Sequence, residues 1–137
     1  MNLKNSQEKF WVDDGFKYIT RGHNNYDLVF GKTPPLQTGR YTDRKDFFDF
    51  FDCFPKTISI LEMGCSCGIN LRILKELGFK NLTGIDISKP AYQAAKKNHP
   101  DLNIVYGSIL EMPFNNNQFD VVFTMGVLIH QTPTISL

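Results

Sequence analysis

From Lys56 onward, apolar and polar positions follow two alternating rhythms. TISILEM, LTGIDI, NIVYGS and FDVVFTM are short apolar runs that predict four strands. Between the first two, NLRILKELG sets Leu71, Leu74 and Leu77 at helical spacing, with Gly78 placed to end the helix. Between the second and third, Ser88 is positioned to cap the helix SKPAYQAAKKN. Pro90 is tolerated in its first turn, and Lys96 and Lys97 lie near its negative end. NNNQ predicts a turn before the fourth strand. Strands separated by helices of about ten residues predict right-handed crossovers and a parallel sheet covered on both faces. The predicted class is therefore α/β, a Rossmann-like, doubly wound, mainly parallel sheet.

Residues 1–55 have a different texture and predict an aromatic-rich helical cap on the core of residues 56–137. Trp11, Phe16, Tyr18, Tyr26, Phe30 and Tyr41 crowd this part, and GKTPPLQTG is turn-forming. TDRKDFFDFFDCF predicts one helix with Thr42 as N-cap and Asp43 in its first turn. Phe47, Phe48, Phe50, Phe51 and Phe54 form its apolar face, while Asp46, Asp49 and Asp52 take the wet side. A face of that kind predicts core or domain-packing surface rather than a ligand site.

Composition removes several functions. The 137 residues suffice for one domain with a core of its own, and 42% hydrophobic with 21% charged content is ordinary for a globular protein. A net charge of +1, with both signs mixed along the chain, is not the footprint of a nucleic-acid binder. The opening MNLKNSQEKFW lacks the apolar stretch of a secretory signal, and no apolar run nears the roughly 20 residues of a membrane span. A cytoplasmic location is the expectation, with thiols reduced. Cys53, Cys65 and Cys67 are an odd number with a one-residue gap at CSC, which suits neither a disulfide framework nor a zinc site. No metal is expected.

The candidate chemistry lies where the strands end, because parallel sheets bind ligands beyond their carboxyl edge, at the topological switch point. GCSCG follows the first strand, Asp86 closes the second, GSI follows the third and TMGVLIH the fourth. A strand turning sharply into a helix exposes backbone N–H groups, and Gly64 and Gly68 allow close approach to them. Asp86 stands 22 positions after Gly64, near the spacing of about 20 at which an acid meets ribose hydroxyls in βαβ nucleotide sites. A dinucleotide fingerprint begun at Gly64 would need glycines where Ser66 and Ile69 stand, so it fails. The spacing acid-x-G-x-G-x-G instead matches Glu62, Gly64 and Gly68, with Ser66 in the middle place. A carboxylate inside a strand end, as at Glu62, has a reason if it orients a sulfonium cofactor bearing an ammonium group.

These stretches, ILEMGCSCGINLRIL, LTGIDIS, NIVYGSILEMPF and FDVVFTMGVLIH, resemble the successive motifs of class I S-adenosylmethionine-dependent methyltransferases across about residues 57–130. EKFWVDDGFKYITRG and GVLIH further resemble the small methyltransferases associated with pseudaminic acid and related surface-sugar biosynthesis. The resemblance implies S-adenosylmethionine as cofactor and a small-molecule acceptor, a sugar or nucleotide-sugar. By the same resemblance, Gly64, Cys65, Ser66 and Gly68 would shape the loop under its methionine part, with Glu62 positioning it. Asp86 would hold the ribose and Ile87 pack on adenine, while Ser108 or the Ile109 backbone would meet the adenine amino group. Thr124, Met125 and Gly126 would line the floor. Tyr18 and Arg21 would either close over the cofactor or serve domain packing.

Methyl transfer needs an in-line acceptor more than a base. His130 is the one candidate base, with packing on the cofactor loop as its other reading. The family's sheet normally continues after GVLIH, so the implied fold is an incomplete class I methyltransferase fold. Either the chain is a fragment or early-terminated relative, or the apolar VVFT edge is covered by the N-terminal segment, a second copy or a partner. A cofactor-binding unit without catalysis is the alternative function. A nicotinamide-dependent oxidoreductase comes third, because the glycine spacing disfavours it.

Overall fold

The computed structural model describes Lys9, Val12, Asp13, residues 33–125 and Val127. Four strands form one sheet: β1 (Ser59–Met63), β2 (Asn81–Asp86), β3 (Asn103–Tyr106) and β4 (Val121–Thr124). Their order is β3-β2-β1-β4 and every pairing is parallel, as the strand–helix alternation predicts. β1 is central, with Glu62 level with Gly84 on one side and Phe123 on the other. The chain runs outward from β1 through β2 to β3, then returns to β1's other side as β4. The switch point therefore lies between the carboxyl ends of β1 and β4.

The helix after β1 shows how local sequence sets the frame. It spans Ile69–Glu76 and buries Ile69, Leu71, Ile73 and Leu74 against the sheet. Full burial of such a side chain stabilises by about 1.5–3 kcal/mol. The helix stops where Gly78 takes φ 105°, with the N–H of Phe79 donating to Leu74 O (3.1 Å) and that of Gly78 to Lys75 O (2.9 Å). This paired closure needs a left-handed residue, and glycine supplies it without steric cost. After β2, the helix Lys89–Asn98 starts with Ser88 Oγ accepting from Ala91 N at 3.4 Å. Both helix boundaries agree with the sequence expectation.

The aromatic segment departs from it. Thr42 is not an N-cap but the last residue of a short helix, α1 (Gly39–Thr42). Thr38 caps α1, accepting from Tyr41 N at 3.3 Å and donating to Pro35 O at 2.7 Å. The turn Pro35–Gln37 delivers Thr38 in extended conformation to cap this short helix, while the phenylalanine-rich helix expected to start after Thr42 begins at Lys45, with Arg44 at its N-cap position and no side-chain cap. A second helix, α2 (Lys45–Asp49), continues as a 3-10 turn over Phe50–Cys53. We number the helix after β1 α3 and the helix after β2 α4.

Phe48 and Phe51 are buried in the main core, while the tighter 3-10 winding leaves Phe50 56% exposed. Phe47 packs tilted and Phe51 edge-on against Phe123 of β4, with centroids 5.1 and 6.0 Å away. The aromatic face is core, as expected, and it packs the N-terminal segment onto the outer strand. Among the described residues β4 pairs only with β1, and Val122 stays half exposed. Tyr18, Arg21, Gly126 and His130 lie outside the described residues.

Candidate functional site

The turn from β1 into α3 is built from three left-handed residues in alternate places: Gly64 at φ 74°, Ser66 at φ 52° and Gly68 at φ 84°. The N–H groups of Gly64 and Cys65 both donate to Ile85 O, at 2.8 and 3.0 Å, so the turn is pinned to the end of β2. Ser66 is the odd member. A side chain in this region costs about 1–2 kcal/mol, and its Oγ is buried without a hydrogen-bond partner.

The glycines face protein at close range. A Cβ on Gly64 would lie 2.3 Å from Val127 Cγ2, so the chain beyond β4 closes against the turn. At Gly68 a Cβ would find ordinary contacts with Leu102, Ala95 and His99, and only its φ demands glycine.

The two cysteines between them are core. Cys65 and Cys67 are 2% and 3% exposed, and burial pushes both thiols up, Cys67 to about 11. Cys65 fills the space that Gly84 vacates on β2, where a Cβ would stand 2.6 Å from its Sγ. Thiols so buried and protonated make poor nucleophiles. Among the described residues no three His, Cys, Asp or Glu side chains gather as a metal site.

Glu62 is the most unusual group. Only 2% exposed, it accepts from Asn70 Nδ2 at 2.7 Å through Oε2, while Oε1 has no partner. Burial pushes its carboxyl up to about 8. The Asn70 hydrogen bond and the Arg40 charge pull the other way, and the Asp86 charge adds a smaller upward push. Asn70, itself 5% exposed, holds a second orphan acceptor, Oδ1. Met125 Sδ lies 3.8 Å from Asn70 Nδ2 and accepts from Arg40 Nη1 at 3.3 Å. The site thus gathers an acid from β1, an amide from α3, a thioether from beyond β4 and a guanidinium from α1.

Asp86 closes β2. Its Oδ2 accepts from Ser66 N at 2.7 Å and its Oδ1 from Ser88 N at 2.9 Å. Burial raises its pKa from the ordinary value, while the amides of Ser88, Ser66 and Ile87 favour the carboxylate. Ile87 follows, half-buried. Beyond β3, Gly107 N donates to Asp86 O at 2.9 Å, and Ser108 Oγ accepts from Leu110 N at 3.1 Å in the turn that carries Ile109. Thr124 ends β4 with its Oγ1 buried and without a hydrogen-bond partner. Glu62, Gly64, Ser66, Gly68, Asp86, Ser108, Thr124 and Met125 therefore all stand at the carboxyl edge of the sheet.

Sequence reasoning missed Asn70 and Arg40. A polar residue on the buried face of an apolar helix, eight positions after an acid in an apolar strand, is a usable signal for the Glu62–Asn70 pair. Nothing in GRYTD marks Arg40, which reaches Met125 across 85 positions of chain.

A separate hollow of about 220 Å³ lies among Pro35, Arg72, Lys75, Glu76, His99, Asp101 and Leu102, and shares no residue with the strand-end site. Burial lowers His99 to about 4 there, with the Arg72 and Lys75 charges adding to the effect.

Comparison with known proteins places this geometry. A family profile described as "Methyltransferase domain" matches residues 61–135. The chain is 31% identical over 139 residues to a ribosomal protein L11 methyltransferase of Marinomonas sp., covering 94% of this chain and 46% of that protein. It is 28% identical to the 2-methyl-6-phytyl-1,4-hydroquinone methyltransferase of Synechocystis, over 84% of this chain and 39% of that one. The curated relatives it matches are all longer, and the chain spans from 21% to 46% of their length. Among solved structures, the magnesium protoporphyrin IX methyltransferase of Synechocystis with bound S-adenosylmethionine superposes with a TM-score of 0.68. That match has 14% identity and covers 99% of this chain and 69% of that one, a likeness of fold.

Proposed function

The chain belongs to the class I S-adenosylmethionine-dependent methyltransferase family, and from that premise we propose that it serves methyl transfer to a small acceptor, a sugar or nucleotide-sugar. The cofactor of the family is S-adenosylmethionine, which carries a ribose diol, a sulfonium and an amino-acid arm. The residues at the strand ends suit each part. The carboxylate of Asp86 already takes the backbone N–H groups of Ser66 and Ser88, with Ile87 adding to them, and its lone pairs, about four in all, leave room for a ribose hydroxyl. Ile87 offers apolar surface beside it for adenine, with Ser108 and Ile109 facing the same edge. Thr124 and Met125 would form the floor.

The observation that carries this reading is the pair of orphan acceptors, Glu62 Oε1 and Asn70 Oδ1, buried beside the glycine turn. A buried polar atom without a partner costs roughly 1–3 kcal/mol, and an ammonium donating to both would remove that cost. The raised pKa of Glu62 has the same origin, since an unpaired carboxylate is disfavoured in a dry site.

The bound cofactor supplies an electrophilic methyl group. The chain's part is to hold it, exclude water and leave the acceptor in line. A cytoplasmic setting suits three free thiols.

Calorimetry with S-adenosylmethionine, S-adenosylhomocysteine and NAD tests the cofactor. Formation of S-adenosylhomocysteine with a panel of sugars and nucleotide-sugars tests the acceptor. Binding of NAD alone would sink the proposal. Binding of S-adenosylhomocysteine without transfer to any acceptor would select a cofactor-binding unit instead.

A further inference from the structure

The separate hollow beside α3 is lined by two residues that each bury a nitrogen without a hydrogen-bond partner, Arg72 Nη1 and His99 Nε2. They come from different elements, Arg72 from α3 and His99 from the position that ends α4. A guanidinium nitrogen can only donate, so Arg72 Nη1 calls for an acceptor. An imidazole nitrogen donates in one neutral tautomer and in the cation.

Both side chains are held in place. Arg72 Nη2 donates to Thr33 O at 2.7 Å, which orients the guanidinium and leaves Nη1 over. His99 is 8% exposed, its N–H donates to Ala95 O at 2.8 Å, and its carbonyl accepts from Leu102 N at 3.0 Å. Its ring lies against the glycine turn, where a Cβ on Gly68 would stand 3.7 Å from His99 Cδ2.

Among the described residues, the other charged groups lining the hollow are Lys75, Glu76 and Asp101. Lys75 and Asp101 pair with each other, and Glu76 is exposed. At the imidazole the cations outweigh the acids. Burial lowers His99 to about 4, and the charges of Arg72 and Lys75 add to the fall.

A dry hollow that offers a guanidinium donor and an imidazole, with cations dominant, is complementary to an anion rich in acceptors. We propose that it is an oxyanion site, in which Arg72 Nη1 and His99 Nε2 donate to the oxygens of one phosphate group, free or carried as an ester. A water occupies about 30 Å³ of liquid, so a hollow of about 220 Å³ has room for a tetrahedral group. The proposal uses no residue of the strand-end site and stands independently of the cofactor reading.

The first test is an NMR titration of the His99 imidazole in the full chain, assigned among the three histidines with His99→Gln. Replacing chloride by sulfate at constant ionic strength, with sulfate a dianion throughout, is expected to raise the His99 pKa by about 1 or more. Calorimetry then compares inorganic phosphate with phenyl phosphate. Tighter binding of the ester assigns a phosphoryl group on a larger ligand, tighter binding of the ion a free phosphate, and both support the site. Arg72→Met, checked for fold by circular dichroism, is expected to weaken either probe by about tenfold or more, and Arg72→Lys to fall between. A His99 titration that sulfate leaves unmoved overturns the assignment without any variant. So does a folded Arg72→Met that binds phosphate as wild type does.

Discussion

The N–H of Ser66, in the turn after β1, donates to Oδ2 of Asp86 at the end of β2, at 2.7 Å. The other oxygen of Asp86 accepts from Ser88 N at 2.9 Å, at the start of α4. One carboxylate therefore couples the glycine turn to the second βα junction, and a ribose would sit on an acid already held at both ends.

Removing that acid should cost affinity first. Asp86→Ala is expected to weaken S-adenosylhomocysteine by a few-fold to a hundredfold, about 1–3 kcal/mol for a lost charge-assisted hydrogen bond. Calorimetry reads the affinity, and circular dichroism checks the fold. Wild-type affinity in the alanine variant would remove Asp86 from the ribose role.

Ser66 holds a glycine's conformation at φ 52° with its hydroxyl buried and unpaired. Ser66→Gly relieves about 1–2 kcal/mol of left-handed strain and deletes the orphan oxygen, against a smaller entropic gain of the unfolded chain. A net stabilisation of about 0.5–1.5 kcal/mol is expected, visible as a higher urea midpoint with an unchanged slope. A lower midpoint would mean that the hydroxyl makes a stabilising contact.

What the sequence revealed follows from how local each signal is. Ser88 and Gly78 act within one turn of their own helices, so their roles read directly from spacing. The strand ends were legible because the apolar runs are short and bounded, and that alone brought Glu62, Gly64 and Asp86 to one edge. Thr42 was misplaced as a cap because it ends a separate one-turn helix that Thr38 caps after a proline turn, and the phenylalanine-rich helix starts only at Lys45, without a side-chain cap. Arg40 and Val127 were illegible for a different reason. Each matters through a contact made only when distant segments meet, Arg40 with Met125 and Val127 against Gly64. Asn70 stands between these cases: an apolar helix face with one amide carries a signal, and its meaning needs the acid on the neighbouring strand.

Gly84 is a packing prediction at the middle of β2. A Cβ there would lie 2.6 Å from Cys65 Sγ, 2.8 Å from Cys65 Cβ and 2.7 Å from Leu71 Cδ1. Gly84→Ala is expected to destabilise by about 1–3 kcal/mol through overpacking. Combined with Cys65→Ala, which removes the sulfur, the loss should be smaller than the sum of the two single losses. Simple additivity in urea unfolding would show that Cys65 does not occupy the space Gly84 leaves.

The carboxyl of Glu62 gives a pH prediction of definite sign. Its folded pKa is raised to about 8 from 4.5, chiefly by burial, so its contribution to stability is fully present below about 4.5 and is lost as pH rises through 8. His99 acts in the opposite sense. Lowered to about 4 from 6.5, it contributes stability above 6.5 that is lost as pH falls toward 4. The window between about 6.5 and 8 therefore isolates the acid. Across it, ligand-free wild type should lose stability relative to Glu62→Gln, by roughly 1–2 kcal/mol at a limit of about 1.4 kcal/mol per pH unit. S-adenosylhomocysteine should bind more tightly across the same window, because its ammonium selects the carboxylate and releases the proton. Calorimetry in two buffers of different ionisation enthalpy would read that release directly. Parallel stability profiles for wild type and Glu62→Gln, with no proton released on binding, would mean that Glu62 is already ionised at neutral pH and that its partner is something other than the ammonium.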